Sequence, residues 1–177
     1  MTNIPDLEAF LAKGQYDTAD LRRIIAVLRG PGGCPWDAEQ THASIRKNFL
    51  EEAYEAVDGI DKGDDALLCE ELGDVMLQIA LHTQIAHERG AFGWDDVTDG
   101  ICRKLIERHP HVFGGTEITG VDNVLNNWDA IKRKTKGQTS AAGAMADLPR
   151  ALPALVRAQK MQSRAAKAGF DWLKTRR

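Results

Sequence analysis

Two short acidic patterns are mirrored about a glycine. EExxE supplies Glu51, Glu52 and Glu55, and ExxD supplies Glu71 and Asp74. Positions 52 and 74 share the midpoint 63, as do 55 and 71, and residue 63 is Gly63. On a helix, side chains three apart sit on neighbouring turns of one face. An antiparallel helical hairpin turning at Gly63 therefore sets Glu52 level with Asp74 and Glu55 level with Glu71, so that four carboxylates converge. The apolar pattern agrees with such a hairpin. Phe49, Ala53, Val57 and Ile60 share one side of a helix over 44–61, and Leu68, Leu72, Val75, Ile79 and Thr83 form a stripe on a helix over 66–88. At about 100° per residue, Glu52, Glu71 and Asp74 border these stripes, where they can face a partner helix.

The rest of the chain is also helical in pattern, because period-two runs of Val, Ile and Thr are nearly absent. A short helix fits between Pro5 and Gly14. Another spans 18–29, with Leu21, Ile24, Ile25 and Leu28 on its apolar face and Gly30 as its stop. Pro31, Gly32, Gly33 and Pro35 exclude a regular element from 30–42. Asp64 or Asp65 caps the second helix of the hairpin, and Asp95 caps a helix that Pro110 ends. A helix over 122–134, a mobile linker over 136–147 and an amphipathic helix over 151–168 complete the chain. The expected fold is all-α, a bundle of four to six helices around the Gly63 hairpin. Its expected divisions are an extension at 1–16, a catalytic domain at 17–135, a linker at 136–150 and a terminal helix at 151–177.

Charge and composition narrow the classes of function. With 43% hydrophobic residues among 177, one domain with a real core is expected. The formal net charge of -3 does not suit a binder of nucleic-acid polymers. No run approaches the roughly 20 apolar residues of a membrane span, and MTNIPDLEAF lacks the features of a secretory signal, so the cytoplasm is the expected location. Cys34, Cys69 and Cys102 form no CxxC pair and read as ordinary reduced thiols. Residues 51–74 hold ten acids and one base, Lys62. Carboxylates gathered this closely repel one another unless cations or water offset them. Hard divalent ions choose oxygen ligands. Mg²⁺ in particular takes a few carboxylates, waters and substrate phosphates, which suits hydrolysis of a phosphoanhydride.

The segments GCPWDAEQTH (33–42), LEEAYEAVDGI (50–60), EELGDVMLQ (70–78), KLIERHPHVF (104–113), NWDAIK (127–132) and LPALVRAQKMQSRAAKAGFDW (152–172) carry a family resemblance. Over about residues 20–172 the chain resembles the MazG family of all-α nucleoside triphosphate pyrophosphohydrolases, and the first half of its two-domain members. The resemblance implies a homodimer or higher homo-oligomer that splits nucleoside triphosphates into monophosphate and pyrophosphate to control nucleotide pools. It implies Mg²⁺ as cofactor, with Mn²⁺ as a substitute. By motif position Glu52, Glu55, Glu71 and Asp74 are the metal ligands, and Glu52 and Glu55 belong to the catalytic centre; Glu51 reads either as a residue supporting the ligands from behind or as a water-orienting base. Two other readings stay open: a hydrolase narrowed to one nucleotide or an alarmone, and a regulatory or dimerisation module that binds Mg²⁺ or nucleotide without turnover.

Lys104 and Arg108 lie four apart with Glu107 between them, as a triphosphate grip or as a solvated basic face. Resemblance to the family's KLxxR segment favours the grip. Trp128 stacks on a base or packs with Leu125 and Ile131, and Lys132 reaches a phosphate or stays in solvent. Trp36 reads as a plug over the core. His109 and His111 read as a turn after a helix rather than a metal site, and His42, His82 and His87 show no constellation.

Overall fold

The computed structural model describes residues 7–115, 120, 123–124, 127–128, 131, 135 and 140–170. Among these, helix is the only regular structure. The chain divides into two compact units, Met1–Ile101 and Cys102–Arg177.

In the first unit α1 is Leu7–Leu11, α2 Thr18–Arg29, α3 Pro35–Glu39, α4 Arg46–Lys62 and α5 Asp65–Glu88. The division falls within α6, Trp94–Arg108. Asp17 caps α2 through the backbone N–H groups of Ala19 and Asp20, and the Asp20 carboxylate accepts the Asp17 N–H in return, giving a reciprocal capping box. Ile25 of α2 then enters a core with Ile45, Ala80, Leu81 and Ile85, against which Leu21, Leu28, Leu77 and Trp94 pack.

Helices α4 and α5 fold back on one another. Gly63 ends α4 in the left-handed region (φ 64°), a conformation cheap only without a Cβ, and Asp64 caps α5 through the N–H groups of Ala66 and Leu67. Their contact face differs from the expected one. Ala56 and Gly59 are buried, whereas Ala53, Val57 and Ile60 are exposed, as is Leu72 of α5. The reason is steric: a Cβ on Gly59 would stand 3.0 Å from the Leu68 Cα. The helices approach through their smallest side chains, which turns the larger ones outward.

The Gly/Pro-rich segment 30–42 is more ordered than its composition suggests. Pro35 occupies the first turn of the one-turn helix α3, where its missing N–H costs nothing. Arg29, with only 5% of its side chain exposed, donates to Glu88 through Nε (2.9 Å) and through its terminal nitrogen (2.8 Å). It also donates to the carbonyls of Asp37 and Gln40. One guanidinium thus ties α2, α5 and the segment together. Trp36, expected as a plug, is 60% exposed. Asp95 does not cap α6, which already begins at Trp94. Asp96 accepts the Gly93 N–H instead, and Asp95 pairs with Arg22 at 2.9 Å.

As expected, α6 ends at Arg108, ahead of Pro110, and in the second unit Pro110 opens a further short helix α7, Pro110–Phe113. Part of the stretch expected to be linker is the helix α8, Ala141–Ala146, capped by the Ser140 hydroxyl. It packs with α9, Ala154–Lys167, next to the buried Leu148. Most of the helix expected over 122–134 lies outside the described residues.

Candidate metal centre

The hairpin brings the acids of α4 and α5 together. Glu52, Glu55 and Glu71 each offer a carboxylate oxygen, and these oxygens lie within 4.8 Å of one another. Glu52, Glu71 and Asp74 are half-buried, and Glu55 is exposed. None of the ion pairs among the described residues reaches the four.

Their electrostatics follow the mirrored register. Burial raises the Glu52 carboxyl above its usual value, and the neighbouring Asp74 and Glu55 carboxylates add to this rise. Burial likewise raises Glu71, with Glu55 as the strongest carboxylate influence. Both rises mean that the site resists carrying full negative charge. A hard, oxygen-seeking divalent cation would relieve this, so the donor set fits such an ion. Glu51, the neighbour of Glu52, is exposed on the flank of α4.

The other singled-out residues fall into the second unit. Arg108 is 7% exposed, and its guanidinium carbon lies 5.0 Å over the Trp128 ring, a cation–π contact. Its Nε is buried and has no hydrogen-bond partner. Glu107 accepts from the Thr135 hydroxyl at 3.2 Å, and Lys104 is exposed. Lys132 lies outside the described residues. His109 precedes α7 without a side-chain cap, and its Nδ1 contacts the Leu105 carbonyl at 2.6 Å, in keeping with a turn.

Two groupings escape sequence reasoning. His42 and His82, 40 positions apart, meet with Nδ1 atoms 2.8 Å apart and rings stacked at 11°, and Phe49 meets His82 edge-on. Burial and the neighbouring His42 hold His82 below the usual histidine range. No spacing rule connects these positions. The second is a cavity of about 490 Å³ between α2, α5 and the start of α6, lined by Arg22, Arg23, Thr83, His87 and Trp94 among others. None of the four acids lines it.

Residues 40–113 match the family described as the MazG nucleotide pyrophosphohydrolase domain. The chain is 45% identical over 153 residues to the nucleoside triphosphate pyrophosphohydrolase of Escherichia coli (strain K12), covering 86% of this chain and 58% of that protein. It is 46% identical over 147 residues to the uncharacterized protein YabN of Bacillus subtilis (strain 168), covering 83% of this chain and 30% of that one. A 26.1 kDa protein of Streptomyces cacaoi, encoded in the blaB 3' region, is 40% identical over 173 residues, or 95% and 70% of the two chains. The chain thus spans 58% and 30% of the length of the first two, less than two thirds of either. No helix among the described residues is long and apolar enough to cross a membrane.

Proposed function

The chain belongs to the MazG nucleotide pyrophosphohydrolase family, and on that premise we propose that it hydrolyses nucleoside triphosphates to monophosphate and pyrophosphate, with Mg²⁺ as cofactor and Mn²⁺ as a substitute. The observation that carries this reading is the convergence of the Glu52, Glu55 and Glu71 oxygens within 4.8 Å, with no ion pair to them among the described residues. In this reading Glu52, Glu55, Glu71 and Asp74 hold the ion. A bound divalent cation shields the phosphate charge and lowers the pKa of a coordinated water. Glu51, exposed beside Glu52, is the group assigned to orient that water and take its proton.

Lys104, Glu107, Arg108, Trp128 and Lys132 are assigned to the substrate by motif position. For Arg108 the chemistry supports the assignment, because a buried guanidinium with an unpartnered Nε is a donor in need of an acceptor, such as a phosphate oxygen. The reading extends to control of nucleotide pools in the cytoplasm and to a homodimer as the working form.

The test mixes the protein with Mg²⁺ and a panel of triphosphates and measures pyrophosphate and orthophosphate separately. Pyrophosphate release that falls by about a hundredfold or more in Glu52→Gln and Asp74→Asn is the expected result, the scale at which loss of transition-state charge stabilisation acts. Orthophosphate alone moves the cleavage to the terminal bond. Binding of nucleotide with no turnover of any substrate replaces the enzyme with a regulatory module.

A further inference from the structure

One buried polar group on the helix that carries Glu71 and Asp74 is unaccounted for. Gln78 of α5 is 5% exposed, and its Oε1 is buried with no hydrogen-bond partner among the described residues. Its neighbours on the helix explain where it sits. Glu71, Asp74 and Gln78 are spaced three and then four apart, which puts them within about 60° on one face at 100° per residue. A long helical side chain leans back over the turn that precedes it. On that rule Gln78 is directed towards Asp74 rather than towards His82, one turn further on. The far end of this row is closed, since His82 is engaged by His42 and Phe49.

A buried acceptor without a donor lowers stability and persists where something outside the chain supplies the donor. In their ionised form the four acids cannot supply it, because carboxylates only accept. A water coordinated to a divalent cation can, since coordination sharpens its O–H groups as donors. We propose that Gln78 is a positioning residue that accepts a hydrogen bond from a water held by the cation at Glu52, Glu55, Glu71 and Asp74, fixing how that water is turned. The proposal rests on the reading of the acids as a cation site. Gln78 does not touch the cation, so its removal leaves cation affinity nearly intact. What it changes is the orientation of the water, and misorientation of a reactant lowers turnover rather than binding.

The experiment compares wild type, Gln78→Met, Gln78→Glu and Glu52→Gln. It measures Mn²⁺ affinity by calorimetry, water-proton relaxation of the Mn²⁺-loaded protein, thermal midpoint without metal, and kcat and KM. Expected for Gln78→Met is Mn²⁺ affinity within about threefold of wild type, a thermal midpoint equal or higher, altered water relaxation, and kcat lowered about tenfold with KM nearly unchanged. Gln78→Glu, which restores an acceptor of the same reach, recovers part of kcat. A Gln78→Met protein with wild-type relaxation and kcat overturns the proposal. So does one that fails to fold or melts earlier, because an acceptor without a partner has no native bond to lose. The cation reading has its own arm: Mn²⁺ affinity unchanged in Glu52→Gln, or absent from wild type, sinks that reading whatever Gln78 does.

Discussion

At the scale of single residues, charge is what the site resists and what a ligand would settle. Glu71 has its native carboxyl raised above its ordinary value of 4.5 by burial and by Glu55. An acid whose pKa is raised on folding contributes stability fully at pH below 4.5 and loses it as pH rises through the raised native value, since the native state then holds the proton more tightly than the unfolded state. At neutral pH without metal, Glu71 therefore works against the fold. Glu71→Gln is expected to raise the thermal midpoint of the metal-free protein at pH 7, to flatten the fall in stability above pH 4.5, and to abolish the rise in midpoint that Mg²⁺ gives wild type. Thermal melts across pH, with and without Mg²⁺, check all three, and a lower midpoint for the metal-free variant refutes the account. Glu88 shows the opposite sign. Its hydrogen bond with Arg29 lowers its pKa, so its contribution is present above 4.5 and lost as pH falls through the native value. The four acids were legible at this scale because their spacing is local to two helices. The His42–His82 contact was not, because 40 residues of chain separate the rings.

At the scale of elements, the approach of α4 to α5 decides whether the acids meet. Gly59 and Gly63 both serve the hairpin, by different means. Gly63 has open space around its missing Cβ but a φ of 64°, whereas Gly59 is helical and faces the Leu68 backbone at 3.0 Å. Gly63→Ala is expected to cost about 1 kcal/mol of backbone strain and to leave the helix contact in place. Gly59→Ala is expected to cost about 1–3 kcal/mol by overpacking and to push the helices apart. Only the second should weaken Mg²⁺ affinity strongly. Denaturant melts with calorimetric titration separate the two effects, and equal Mg²⁺ affinities in the two variants would refute the role given to Gly59. Apolar periodicity misread this face. It selected Val57 and Ile60 because they are large, while close packing selected Ala56 and Gly59 because they are small. Helix extents were read well from Gly63, Asp64 and the apolar periods, but the one-turn helix α3 was hidden by glycines and prolines.

At the scale of the whole molecule, the hairpin leaves much apolar surface uncovered. Leu50, Tyr54 and Val57 recur along one side of α4 and are each about half exposed, and Leu72 and Met76 are 52% and 40% exposed on α5. Apolar residues exposed in such a row mark an interaction surface. In the proposed working form a second copy of the chain covers it. Sedimentation is expected to give a dimer, and Tyr54→Glu with Leu72→Glu to give a monomer that retains its helical content. A wild-type monomer at micromolar concentration would remove the dimer from the reading.

The sequence by itself determined the all-α class, the Gly63 turn and the register that brings Glu52, Glu55 and Glu71 together, because helical periodicity, turn chemistry and i,i+3 spacing act over a few residues. It also carried the family resemblance. The tertiary structure alone decided which side of α4 meets α5, how Arg29 locks segment 30–42, the pairing of His42 with His82, and the burial of Gln78 without a partner. Each of these depends on how closely two backbones approach. That distance follows from the side chains of both elements together, and no single stretch of sequence contains it.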